Sequence, residues 1–289
     1  MRTTRDPANV VSMATTSRTT RRVRPRAWTE LALLGVLYVG YSAARLLADD
    51  DRRRAVANAR HLLGIESWLH LDVEAGLNHL VAGAPALALL ASYWYAALHY
   101  LVTPAVLVWV YRRHPLGYRR VRNALVVATT TGLAGFVLLP MAPPRMLPGY
   151  ADVLASTSAH GWWGGDASAP KGLGGLTNEM AAMPSLHVGW ALWCAWVVFL
   201  CSRSRWLRTL ATTYAAGTVL VVLGTGNHYL LDALGGAAVL ALGVAVSYLG
   251  GPAQPVGTVT SRPVTTTRKP VLVAVTESTR RPDGRLVSR

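Results

Sequence analysis

The sequence predicts an all-α polytopic membrane protein with six transmembrane helices and an amphipathic helix on the outer face. Three observations carry that prediction. Only 15% of the 289 residues are charged, where a soluble domain carries about 25%, and mean hydropathy is +0.29. The charges gather between six apolar runs, each longer than the roughly 17 residues that cross a bilayer. Lysine and arginine are also unevenly shared between the two sets of connecting segments, which is the signal that orients a membrane protein.

Taken in order, residues 1–27 are polar and rich in Arg, Ser and Thr, so they are expected to be a disordered tail. The first apolar span is 28–48. A basic leader before an apolar run also describes a signal peptide, but the run is long, ends near Arg45 and shows no small-residue cleavage site, so an uncleaved helix is expected. In residues 49–82, Leu62, Ile65, Leu69, Val73, Leu77 and Leu80 recur at spacings of three and four, the helical period. The other faces carry Arg60, His61, Glu66, His70, Asp72, Glu74 and His79. The pattern predicts an amphipathic helix lying in the membrane interface, anchored by Trp68, with its histidines solvated. Five further spans follow at about 84–111, 123–140, 184–201, 207–226 and 229–249, and the Pro/Thr/Arg/Val-rich residues 250–289 show no packing pattern. Residues 28–249 are thus read as one membrane domain between two disordered cytoplasmic tails.

With the N-terminus inside, the inner segments 1–27, 112–122, 202–208 and 251–289 hold 22 of the 29 basic residues. That places both termini in the cytoplasm of a multi-pass cell-membrane protein. The same topology accounts for the net charge of +15. The basic residues lack the aromatic interleaving and fold motif of a nucleic-acid binder, so no nucleic-acid partner is expected. Cys194 and Cys201 lie seven residues apart in one span, roughly 10 Å along a helix, too far for a disulfide.

Two strings carry chemistry: Met183-Pro184-Ser185-Leu186-His187 and Asn227-His228-Tyr229-Leu230-Leu231-Asp232. Each puts a histidine at the mouth of a span, where a polar ring is costly and usually functional. One helix descends and another ascends between them, so both return to the outer face, where the Pro143-Pro144-Arg145 turn also arrives. Asp232 stands at i+4 from His228, where a carboxylate can orient an imidazole and support its developing charge. Pro184 suits a first helical turn, and the free N–H groups after it, with the Ser185 hydroxyl, form an anion site or a plain helix cap. His187 is then placed to protonate a leaving oxygen. Arg145 offers a planar fork of donors to a phosphate, or else snorkels at the interface. Lys171, on the outer loop, is either a second phosphate contact or a solvated residue. His99, inside the second span, is either functional or a hydrogen-bonded packing residue. Trp162 and Trp163, in the outer loop 156–176, are expected to rest at the interface.

Together with Pro143-Pro144-Arg145, these strings resemble the three motifs of the type 2 phosphatidic acid phosphatase superfamily, and most closely its inositolphosphotransferase branch, related to inositol phosphorylceramide synthase. The likeness covers about residues 56–248. It implies a six-helix fold that cleaves a lipid phosphate ester without metal or cofactor. His228 would form a phosphohistidine, Asp232 would orient it, and His187 would protonate the leaving alcohol. Arg145, Ser185 and Lys171 would hold phosphate, and water or an alcohol acceptor such as inositol would complete the reaction. Two departures stand out. The superfamily's common pattern places a lysine well before an Arg-Pro in the first motif, and a Ser-Arg pair six to seven residues before the last histidine, where this chain has Val221 and Val222. A leucine likewise replaces the glycine of Pro-Ser-Gly-His, as in that branch.

Two other classes fit less well. A metal-dependent hydrolase would use His187, His228 and Asp232 as a two-histidine, one-carboxylate set, but no His-Glu-x-x-His string or acidic cluster accompanies them. A transporter or lipid-binding protein would carry repeats or mid-membrane ionisable groups, whereas here the polar residues gather at one end.

Overall fold

The computed structural model describes residues 25–47, 52–163 and 179–249. Residues 1–24 of the N-terminal tail read as 1–27, the whole of the tail 250–289, and Lys171 lie outside the described residues. Within them the chain is helical and has no strand, only isolated bridge residues such as the parallel pair Met141 and Ala181. The helices are α1 (Ala27–Leu47), α2 (Arg52–Trp68), α3 (Glu74–Ala82), α4 (Pro85–Tyr93), α5 (His99–Arg113), α6 (Pro115–Leu138), α7 (Val153–Thr157), α8 (Leu186–Cys201), α9 (Arg205–Gly224) and α10 (Leu230–Leu249).

Among the described residues, four segments are long and apolar enough to cross a membrane: Pro85–Arg113, Pro115–Leu138, Arg205–Gly224 and Leu230–Leu249. The segments Ala27–Leu37 and Leu186–Cys201 are apolar but shorter. The chain therefore has the helices of a membrane protein. Their outward faces carry large apolar residues such as Leu90, Leu101, Leu138, Leu210 and Leu220, as a surface against hydrocarbon does. Because lipid is as apolar as leucine, such helices are held together by close packing rather than by burial from water. Two α10 glycines show how. A Cβ on Gly236 would collide with the Ser185 carbonyl, and one on Gly243 with the Ala124 carbonyl of α6. These contacts set α10 against α6 and the start of α8.

The expected amphipathic helix is two helices. The chain breaks after Trp68, with His70 at φ +58°, and resumes at Glu74. Its burial also differs from the sequence reading. Ile65, Leu69, Val73 and Leu80 are exposed, while Ala55, Ala59, Leu62 and Glu66 of α2 and Glu74, Asn78 and Val81 of α3 face the protein. The face that meets the bundle mixes small and apolar residues with Glu66, Glu74 and Asn78, while Arg60, His61, His70, Asp72 and His79 stay exposed, the histidines as expected.

The second span is continuous but not uniformly α-helical, because Trp94–Leu98 form a π-helical turn between α4 and α5. Such turns widen a helix locally and often mark functional positions.

Helix ends sort the molecule into two poles. The ends of α6 and α9 and the starts of α8 and α10 meet at one pole, together with His187 and His228. At the other lie the end of α5 and the starts of α6 and α9, with Arg112, Arg113, Arg119, Arg120, Arg122, Arg205 and Arg208. Glu30 of α1 belongs to that basic pole: its carboxylate accepts a hydrogen bond from Tyr118 at 2.9 Å and lies 3.6 Å from Arg122.

Candidate active site

His228 does not lie within α10 but two residues before it. Its position is fixed by the turn that closes α9. Gly226 adopts φ +72°, a conformation that suits glycine at a helix end, and the N–H groups of Asn227 and His228 both donate to the Val222 carbonyl. Tyr229 then opens α10. Its N–H donates to Asp232 Oδ2 at 2.9 Å, the reciprocal half of a capping box, so Asp232 is locked in place by the helix it starts.

The ring of His228 is oriented from two sides. Its Nδ1 lies 2.7 Å from the Ala182 carbonyl and 3.5 Å from Asp232 Oδ2. A carbonyl oxygen can only accept, so Nδ1 carries the proton and the lone pair of the neutral ring is on Nε2. Ala182 is itself held by the bridge to the preceding loop, since its N–H donates to the Met141 carbonyl. Asp232 is fully buried and Oδ1 has no hydrogen-bond partner.

His187 sits in the first turn of α8, with its ring centroid 5.9 Å from that of His228. It stacks on Tyr95 at 4.3 Å and meets the edge of His99 at 4.4 Å. The π-helical turn supplies Tyr95, and His99 follows it directly, so the widened helix aims both rings at His187. His99 is buried and packs against His187. Nε2 of His187 is buried without a partner. Beside His99 and His187 runs a narrow crevice with no room for a water molecule, lined also by Tyr95, Val221 and Val222 among others.

Ser185 is buried and caps α8, its hydroxyl accepting from Val188 N at 3.5 Å. Arg145 reaches the same pole. Its backbone N–H donates to the Gly226 carbonyl at 2.8 Å, its Nη1 donates to Asn227 Oδ1, and its Nε lies 3.4 Å from Asp152 Oδ2. The guanidinium is thus tied to the residue that precedes His228, rather than snorkelling free. Trp163 departs from the sequence expectation: it is fully buried, donating to the Leu154 carbonyl, while Trp162 stays exposed. Among the described residues, no three His, Cys, Asp or Glu side chains are grouped as metal ligands.

Sequence reasoning missed the support beneath these residues. Glu66 Oε1 accepts from Leu231 N at 2.6 Å, Asn78 bonds to the Gly224 and Ala151 carbonyls and to Ala151 N, and Asp152 holds Arg145 while capping α7. Burial pushes Glu66 up to about 8, aided by the charges of Glu74 and Asp232 and opposed by the Leu231 hydrogen bond. Burial also raises Glu74. Only the odd placement of acids among the 49–82 apolar positions hinted at them.

A protein-family model of the PAP2 superfamily matches residues 60–246, well over half the chain. The chain belongs to the PAP2 superfamily. No curated protein and no solved structure matches the sequence. Members of the PAP2 superfamily are phosphatases, so membership suggests a phosphatase-type activity on lipid phosphates. All three strings lie inside the matched region.

Proposed function

We propose that this PAP2 superfamily protein is a membrane phosphatase or phosphotransferase that cleaves a lipid phosphate ester at the extracytoplasmic face through a phosphohistidine. The observation that carries the reading is the His228 ring. With Nδ1 donating to Ala182 and Asp232 close by, Nε2 is the free, electron-rich nitrogen. It attacks phosphorus, and a P–N bond forms as the P–O bond to the lipid alcohol breaks. His187 gives the departing alkoxide its proton. Asp232 offsets the positive charge that builds on the His228 ring. Water, or an alcohol such as inositol, then loses a proton to His187 and attacks phosphorus, and the P–N electron pair returns to Nε2.

Arg145 supports the reading as the guanidinium fixed beside His228, where it can take two phosphate oxygens. In this mechanism Ser185 and Lys171 assist phosphate binding. The six-span topology, with α1 and α8 completing the bundle, puts the His228 pole outside and the arginine pole in the cytoplasm.

The test is phosphate release by the detergent-purified protein from phosphatidic acid and polyprenyl phosphates, with and without EDTA and inositol. The expected result is release that survives chelator, disappears in His228→Ala, and leaves an acid-labile phosphate on the wild type alone. A transfer product with inositol would favour the phosphotransferase branch over hydrolysis. Release from His228→Ala at the wild-type rate would sink the mechanism.

A further inference from the structure

Glu66 and Glu74 come from different helices, both are fully buried, and they are hydrogen-bond neighbours. Each has one oxygen occupied: Glu66 Oε1 accepts from Leu231 N at 2.6 Å, and Glu74 Oε1 accepts from the Tyr150 hydroxyl at 3.2 Å. Each leaves Oε2 buried with no N–H or O–H donor. Two adjacent buried carboxylates, both charged and both short of a donor, is an arrangement proteins avoid. One proton between the two Oε2 atoms relieves both faults at once, as in other carboxyl pairs that share a site.

We propose that Glu66 and Glu74 share a proton and act as a positioning pair for the catalytic pole, joining α2 and α3 to the first turn of α10. Protonated Glu66 donates to Glu74 while its other oxygen holds Leu231, one residue from Asp232 and three from His228. Glu74 passes the connection on to Tyr150, in the loop that also carries Arg145 and Asp152. The hydrogen-bonded chain therefore ties the starting point of α10 to the guanidinium loop.

The groups facing the pair are acidic or neutral. They are Asp232 and Tyr229 from the α10 side, Tyr150 from the loop, and Asp72 just before α3. None of these offers a cation to stabilise a second negative charge. The sign of the pH dependence follows. A carboxyl that stays protonated in the folded state up to about 8 supports stability fully below its ordinary value of 4.5. That support is lost as pH rises from there through 8, at about tenfold in the folding equilibrium per pH unit.

This inference rests on the phosphohistidine reading for its catalytic part alone, so the experiment has two arms. In the first, the Tm of the full-length protein in detergent is followed from pH 6 to 9. Wild type should lose Tm across that range. Glu66→Gln, which keeps an acceptor for Leu231 and a donor for Glu74 without a titrating proton, should have a flatter profile. Equal slopes in wild type and Glu66→Gln would overturn the shared proton. In the second arm, phosphate release at pH 7 should fall about tenfold in Glu66→Leu, which strands the Leu231 N–H, and recover in Glu66→Gln. Recovery in Tm without recovery in release would overturn the positioning role. If wild type itself releases no phosphate, the functional reading fails, and the Tm arm still decides the shared proton.

Discussion

Asp232 serves two masters, and a single atom does both jobs. Its Oδ2 accepts the Tyr229 N–H and faces His228 Nδ1, so its charge and its capping role can be separated by substitution. Asn at 232 keeps an acceptor for Tyr229 but removes the negative charge beside His228. We expect Asp232→Asn to lower phosphate release by about a hundredfold or more, judged against the loss when an aspartate is neutralised behind a catalytic histidine. Its Tm should change little. Asp232→Ala should lose Tm as well, since removing the capping-box bond to Tyr229 costs about 1 kcal/mol. Both are measured with the same phosphate assay and a melting curve. An Asp232→Asn enzyme with wild-type turnover would mean that the Ala182 carbonyl alone suffices to orient His228.

At the scale of elements, the parts most visible in the sequence were those fixed by local chemistry. Pro184 and Ser185 announce the start of α8, Gly226 closes α9, and the i+4 acid marks the first turn of α10; each stands where the residue types require it. The amphipathic segment was legible as helical and misleading as to direction. Helical period tells which residues share a face, but the rule that the apolar face packs inward belongs to water. Here Ile65, Leu69 and Leu80 face outward, and the inward positions are shared between Ala55, Ala59, Leu62 and Val81 and the polar Glu66, Glu74 and Asn78, whose polar atoms find partners inside. The π-helical turn at Trp94–Leu98 was not legible at all, since no glycine or proline marks it and packing against α8 and α9 sets it. The α10 glycines make a prediction at this scale. Gly236→Ala should push α10 from the Ser185 carbonyl and Gly243→Ala should push it from α6, each costing about 1–3 kcal/mol by overpacking. Gly236→Ala, which lies against the residue that caps α8, should in addition lower phosphate release. Gly235 is the neighbouring control in sequence only, because a Cβ there would press on Pro184; the better control is Gly64, which has open space around it and should tolerate alanine in both assays.

Across the whole molecule, the two poles differ in charge as well as in chemistry. The end that carries the histidines sets Arg145 and the α2 arginines among Glu66, Asp72, Glu74, Asp152 and Asp232, while at the opposite end Arg122 pairs with Glu30, Arg120 lies over Tyr248 and Arg208 lies over Phe199. If that asymmetry sets orientation, the histidine pole faces out, and the substrate phosphate is reached from the outer leaflet. Thiol labelling of intact cells tests this directly. Cys194 is buried and Cys201 half-buried, so a Cys201→Ser background leaves little native reactivity. In it, Ala159→Cys lies on the exposed turn after α7, at the histidine pole, and Ser204→Cys lies on the exposed turn before α9, at the arginine pole. A maleimide that does not cross membranes should label the first in intact cells and the second only after permeabilisation. The reverse pattern would place the histidines in the cytoplasm, and with them the source of the lipid phosphate. Labelling of both in intact cells would mean that the segment Leu186–Cys201 does not cross, and that the two poles do not lie on opposite sides of the bilayer.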